Sequence, residues 1–153
     1  MKTFNEIKRK FLLKRFPRLE KINTVYHIEQ WYHSDGFRYR YQVNTSTGEV
    51  TIFKTKKTSI SKGVNQEEET LLTQGEFDEL DLSNSLYIKK SRTVVKYKGH
   101  KLEIDKYDGM NIVILEIELE DLNEEIKLPK YIDREILYEV TGIKEFSNKS
   151  LAE

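Results

Sequence analysis

The sequence has no cysteine, only two prolines (Pro17 and Pro129), and no apolar run longer than the four residues Ile112 to Leu115. Without cysteine there can be no disulfide, thiolate zinc site, iron–sulfur cluster or cysteine nucleophile, and the composition suits a reducing compartment. A run of four cannot cross a bilayer, and Phe11-Leu12-Leu13 near the start is too short for a signal-peptide core. Net charge is missing as well: 26 basic and 26 acidic residues cancel. That balance argues against a broad basic face for nucleic acid or an anionic membrane. The expectation is a soluble, cytoplasmic protein with neither as a partner. No glycine-rich phosphate loop or nucleophile elbow is present, and His27, His33 and His100 lack zinc-site spacing. What the chain does have is charge, 34% of 153 residues, against a typical share of about 25%. The length fits one domain spanning 1–153.

Glycine-containing turn signals at Asp35-Gly36, Thr47-Gly48, Lys62-Gly63, Lys98-Gly99 and Asp108-Gly109 separate alternating segments rich in Val, Ile, Tyr, Phe and Thr. The spacing predicts eight strands, at about 4–13, 23–33, 37–44, 49–56, 64–72, 86–97, 100–107 and 110–120. Two-residue hairpin turns are expected at 98–99 and 108–109. Helical signals are few: one turn over Phe16–Lys21, another over Gly75–Leu82, a helix from Pro129 to about Val140, and a short turn in 147–153.

In a strand, residues i and i+2 share a face, so like charges at that spacing sit about 7 Å apart on one side. The sequence repeats this arrangement. Basic pairs are Lys8/Lys10, Arg38/Arg40, Lys54/Lys56 and Lys90/Arg92; acidic pairs are Glu67/Glu69, Glu103/Asp105 and Glu116/Glu118. The opposite faces are often apolar, as with Leu102 and Ile104 or Leu115, Ile117 and Leu119. Two architectures satisfy the pattern. One is an open sheet with its charged face in water. The other is a closed barrel, apolar outside and charged within, in which Lys and Arg hold phosphates opposite carboxylates that hold a hard metal.

In order along the chain, the segments Glu6-Ile7-Lys8-Arg9-Lys10, Gln30-Trp31-Tyr32, Phe37-Arg38-Tyr39-Arg40, Thr51-Ile52-Phe53-Lys54, Lys90-Ser91-Arg92, Leu102-Glu103-Ile104-Asp105 and Leu115-Glu116-Ile117-Glu118-Leu119 resemble the motifs of the CYTH superfamily, the triphosphate tunnel metalloenzymes. The ending, with Arg134-Glu135, Val140-Thr141 and Asn148 to Ala152, is similar to that of the short bacterial tripolyphosphatase-like members. The resemblance implies an eight-stranded antiparallel β-barrel with helices outside and a C-terminal closing helix. It implies hydrolysis of a small triphosphate, most simply inorganic tripolyphosphate, with Mg²⁺ or Mn²⁺. Carried over by position, Lys10, Arg38, Arg40, Lys54, Lys90 and Arg92 would bind phosphate, with Lys8 and Lys56 similarly oriented. Glu6, Asp105, Glu116 and Glu118 would bind metal. Lys10, Tyr32, Glu67 and Glu69 would serve the chemistry. Dimers are common in the superfamily, although no dimer face is marked in the sequence.

Two positions depart from the motifs. Lys8 stands where the opening motif has its second glutamate, and Asn65 where an arginine precedes the acidic pair of the fifth strand. The first puts a cation in place of a carboxylate, which disfavours a metal nearby. A non-catalytic polyphosphate- or nucleotide-binding module and a class IV-type adenylate cyclase are therefore the alternatives to a triphosphatase.

Overall fold

The computed structural model describes residues 1–21 and 24–153. Nine strands are described: β1 (Lys2–Leu13), β2 (Thr24–Tyr32), β3 (Arg38–Asn44), β4 (Val50–Ser61), β5 (Val64–Leu72), β6 (Leu86–Tyr97), β7 (His100–Tyr107), β8 (Val113–Leu119) and β9 (Ile136–Glu139). Position 23, where the expected second strand begins, lies outside the described residues. The first eight strands close an antiparallel barrel in the order β5-β4-β3-β2-β6-β7-β8-β1, with β1 pairing back to β5. Closure removes the open edges that a sheet with so many polar residues would otherwise expose.

Strand β1 closes the ring because its two edges are used unequally. Ile7–Leu13 pairs with β8 along one edge. Along the other, Lys2–Ile7 pairs with β5 and Phe11–Leu13 with β9. Between these partners the Lys8 N–H donates to the Gly63 carbonyl at 3.0 Å, and the Lys10 carbonyl accepts from the Val140 N–H at 2.8 Å. Gly63 has φ 76°, and a Cβ there would come within 2.9 Å of both the Lys8 carbonyl and Leu122 Cδ2. Only glycine lets the β4–β5 turn sit this close to β1.

The helical expectations fare less evenly. Pro129 caps α2 (Lys130–Asp133), a single turn, and the chain then extends into β9 instead of continuing as a helix to Val140. The Ile136-Leu137-Tyr138-Glu139 segment finds a ready partner in the β1 edge that β5 has left free. Phe16–Lys21 forms no helix; Pro17 interrupts it, and Phe16 and Leu19 pack on the core in irregular backbone. The 75–82 signal yields α1 (Gln74–Asp78), started by a capping box between Thr73 and Glu76. A 3-10 turn (Lys144–Phe146) leads into α3 (Asn148–Leu151) at the C-terminus. No described helix is long and apolar enough to cross a membrane. The 98–99 turn has positive φ at both Lys98 and Gly99, as a tight hairpin requires. The 108–109 signal instead opens a longer loop, and β8 begins only at Val113.

Two apolar layers hold the barrel. Outside β6, β7, β8 and β1, Val95, Leu102, Ile104, Leu115, Ile117 and Leu13 are buried under Ile132, with Phe16, Leu19, Ile126, Leu128 and Tyr131 packed over them. Each such side chain taken from water contributes about 1.5–3 kcal/mol. The second layer, Ile88, Tyr107 and Ile114 with Leu12 and Tyr32, packs against Phe146, Leu151 and Ala152. Leu12, Ile88, Tyr107 and Ile114 lie two residues from Lys10, Lys90, Asp105 and Glu116, hence on the same inward face. One end of the lumen is thus plugged by an apolar layer, and α3 closes over it. The Tyr87 and Glu153 backbones exchange hydrogen bonds of 2.6 and 2.9 Å that tie the chain end to β6.

Candidate functional site

Alternation along the eight strands turns one set of side chains inward, around a cavity of about 340 Å³. Its lining includes Glu6 and Lys8 from β1, Arg38 and Arg40 from β3, Glu67 and Glu69 from β5, Arg92 from β6, Glu103 from β7 and Glu118 from β8. Lys10, Lys90, Asp105 and Glu116 lie deeper, joined to this lining by ion pairs. The closed, charged interior is the arrangement expected from the sequence.

Strand β4 is the exception. Lys54 pairs with Tyr39 and Arg40 with Phe53 in the β3–β4 register, so Lys54 shares the outer face of Tyr39. The Lys54 ammonium rests 4.3 Å from the Phe37 ring centre, and Lys56 is exposed 6.0 Å from the same ring. Both expected phosphate ligands therefore point away from the lumen. Phe53 and Lys57 line the cavity instead. A phase error of one residue reverses every side chain of a strand.

Inside, charges of opposite sign are already matched. The Asp105 carboxylate, fully buried, accepts from Arg92 Nε at 2.7 Å and Nη2 at 2.8 Å, and from Lys90 Nζ at 2.8 Å. Arg92 Nη1 lies 2.9 Å from Glu103, and Nη2 lies 3.2 Å from Glu116. Glu116 also takes Lys8 Nζ at 2.9 Å and Lys10 Nζ at 3.3 Å. Burial alone would raise the Glu116 pKa; Lys8, Lys10 and Arg92 hold it well below the ordinary range. For Lys90, burial outweighs Asp105 and, with Arg92 nearby, pushes the ammonium down to about 7. Glu6 sits 3.2 Å from Lys8 Nζ and 3.7 Å from Lys57 Nζ. Against burial, those lysines lower it to about 2. Its neighbour Glu67 is raised by burial and by the Glu6 carboxyl beside it.

The arginines of β3 are less well matched. Arg38 reaches Glu67 at only 3.5 Å. Arg40, among the described residues, has no carboxylate within ion-pair distance; its guanidinium lies 4.4 Å from the Phe53 ring centre. Nε of each arginine and Oε1 of Gln30 are buried without hydrogen-bond partners. Burial, then Arg38 and Arg92, pushes Arg40 down to about 10. A cation in this condition gains from any anion that enters.

The four residues expected to bind metal form no such centre. Asp105 and Glu116 are taken by cations, Glu6 is held by Lys8 and Lys57, and Glu118 is half-exposed near Lys101. Among the described residues no three His, Asp or Glu side chains converge to hold an ion. A dication 4 Å from one of these ammoniums would be repelled by about 8 kcal/mol at an effective dielectric of 20, twice the figure for unit charges. The donor set does not fit a preformed Mg²⁺ or Mn²⁺ site.

Tyr32 and the C-terminal turn differ from expectation in opposite ways. The Tyr32 hydroxyl accepts from Gln30 Nε2 at 3.1 Å beside the apolar plug, and burial raises its pKa. Glu69 lines the cavity as expected. The C-terminal turn, expected as a closing helix, sends Asn148 into the site: its Oδ1 accepts from Lys90 at 3.4 Å and from the Tyr107 hydroxyl. Lys57, Glu103 and Asn148 are among the lining residues that sequence reasoning missed. Glu103 was visible in the 103/105 pair, and Lys57 would have followed from the β3–β4 register; Asn148 had no signal beyond its motif.

No family model matches the sequence, and no curated protein matches it. Similar solved structures do exist. NE1496, described as an inorganic triphosphatase, superposes with a TM-score of 0.61 at 23% identity, covering 96% of this chain and 97% of that one. A second structure of NE1496 gives 0.60 at 26% identity with the same coverage. The PH1819 protein from Pyrococcus horikoshii OT3 gives 0.52 at 18%, covering 84% of this chain and 82% of that one. The closed eight-stranded barrel is the CYTH tunnel fold, in agreement with the motif resemblance.

Proposed function

We propose that the tunnel binds a small triphosphate, with inorganic tripolyphosphate the leading substrate, and hydrolyses it. The observation that carries this reading is the Arg38–Arg40 pair, buried in the lumen with unpartnered Nε groups and, for Arg40, no carboxylate at hand among the described residues. A polyanion supplies what those groups lack. Lys8, Lys57 and Arg92 ring the same cavity with Arg38 and Arg40, and Lys10 lies deeper, so a phosphate chain would meet cations from four strands. NE1496, with the same fold, is described as an inorganic triphosphatase, which supports the choice of substrate.

Phosphoryl transfer needs placement and charge neutralisation more than covalent chemistry. In the proposed reaction a water oxygen bonds to a terminal phosphorus while the bridging P–O bond breaks. Arg38 and Arg40 hold the phosphates in place, Lys10 and Arg92 stabilise charge on the departing oxygen, and the Glu67 carboxylate, whose pKa burial raises, receives the proton released by water. Phosphate release from tripolyphosphate and from ATP is the direct assay; no release from either would remove the hydrolytic half of the reading. A second reading, binding without turnover, is favoured by the locked state of Asp105 and Glu116. Calorimetry with tripolyphosphate separates the two, since binding would persist where release is absent. Chromatography of ATP products tests for cyclisation.

A further inference from the structure

Lys8 lies in the middle of β1, its backbone held by Gly63 on one edge and paired with Glu118 of β8 on the other. Its ammonium, buried, sits between two carboxylates from different strands: Glu6 Oε1 at 3.2 Å and Glu116 Oε2 at 2.9 Å. Lys10 and Arg92 converge on Glu116, and Lys57 on Glu6. Arg92 is also held by Asp105 and Glu103, so the charge around Lys8 is balanced within the chain without a metal ion. Magnesium is commonly held by one or two carboxylates together with substrate phosphates; here the two carboxylates of the neighbouring strands β1 and β8 are joined by a cation that belongs to the chain.

We propose that Lys8 is a built-in counter-cation and that the tunnel takes its triphosphate as the free polyanion, not as a magnesium or manganese complex. The inference rests on the triphosphate reading above. A glutamate together with a bound dication carries the same single positive charge as one ammonium, so Lys8 supplies that charge without a metal. A metal complex of the same ligand has already lost two of its negative charges, and it would bring a dication against the ammoniums that surround Glu6 and Glu116. The free ligand brings neither penalty.

Titration calorimetry of the protein with sodium tripolyphosphate, first in EDTA and then in excess MgCl₂, tests this. The expected result is binding in EDTA that weakens tenfold or more when magnesium captures the ligand. Lys8→Glu should reverse the order, with little heat in EDTA and binding restored by magnesium. It should also take up Mn²⁺ in a paramagnetic resonance titration that the unmodified protein leaves unchanged. Lys8→Gln, which adds no like charge beside Glu6 and Glu116, should fold and lose tenfold or more of the affinity in EDTA. Wild-type binding that is equal or tighter with magnesium overturns the inference and leaves the triphosphate reading standing. Absence of binding in both media overturns the two together.

Discussion

Glu116→Gln separates an internal anion from a metal ligand. Glu116 is 1% exposed and neutralises Lys8, Lys10 and Arg92 at 2.9, 3.3 and 3.2 Å. Removing its charge leaves Lys10, among the described residues, without a carboxylate partner, while Lys8 keeps Glu6 and Arg92 keeps Asp105 and Glu103. Breaking a buried pair in this way typically costs about 3–5 kcal/mol. Lys8 and Lys10 keep 11% and 15% of their side-chain exposure and can draw in water, so the lower end, about 3 kcal/mol, is the better figure. For a chain of this length that lowers the melting temperature by about 6–12 °C. Tripolyphosphate should then stabilise the variant more than the wild type, because in the wild type the ligand must displace Glu116 from the same cations. Differential scanning fluorimetry with and without tripolyphosphate, in EDTA, reads both effects. A variant that melts with the wild type would refute the charge accounting. A variant whose ligand-induced shift is smaller than that of the wild type would refute competition between Glu116 and phosphate.

Four further outcomes follow from particular contacts. Arg40 is disfavoured as a cation in the fold at any pH below about 10, so Arg40→Met should stabilise the free protein by about 1–2 kcal/mol while greatly reducing the tripolyphosphate-induced shift in the same melts. Lys54→Ala and Lys56→Ala remove outward-facing charges and should leave tripolyphosphate affinity within about twofold, a difference of about 0.4 kcal/mol; a tenfold loss by calorimetry would place them in the lumen after all. Asn148→Ala leaves the Tyr107 hydroxyl without its acceptor and Lys90 with Asp105 alone among its side-chain oxygen partners, so thermal unfolding should show a loss of about 1–3 kcal/mol. Glu139 is lowered to about 2 chiefly by Arg9, which it meets at 2.6 and 2.9 Å. The stability it lends to β9 is present above pH 4.5 and disappears as pH falls toward 2. The pair is about a third exposed, which limits its worth to about 1 kcal/mol. Acid titration of Glu139→Gln should flatten the corresponding part of the stability profile.

The strands and their charged faces were legible because two signals agreed, while the choice of a closed barrel over an open sheet came from the motif resemblance. Glycine turns spaced the strands, and paired charges opposite apolar residues assigned a face to most of them. Helix boundaries were less accessible, because they depend on which edge is vacant. Nothing local to Ile136–Glu139 says that β1 has a free edge beyond Ile7, so the proline at 129 read as the start of a full helix when it starts only one turn. The cover over the outer apolar face is likewise made from irregular chain, in which Phe16 and Leu19 bury their side chains without any periodicity to announce them.

At the site, the type of charge was legible but its phase on β4 was not. Lys54, Lys56 and Lys57 offer two sets of alternation in one strand, and only the pairing of Arg40 with Phe53 chooses between them. Carboxylate roles were harder still, because the same Glu116 can bind a metal or neutralise lysines, and its own sequence context is identical in the two cases. The identity of residue 8 discriminates between them. With Lys8 at 2.9 Å, Glu116 is compensated before any ligand arrives, which is the observation behind the proposal that the tunnel takes its ligand free of metal. A single residue two positions from Glu6 therefore sets the charge that Glu116 meets, and it does so through the β1–β8 pairing that the linear sequence does not display.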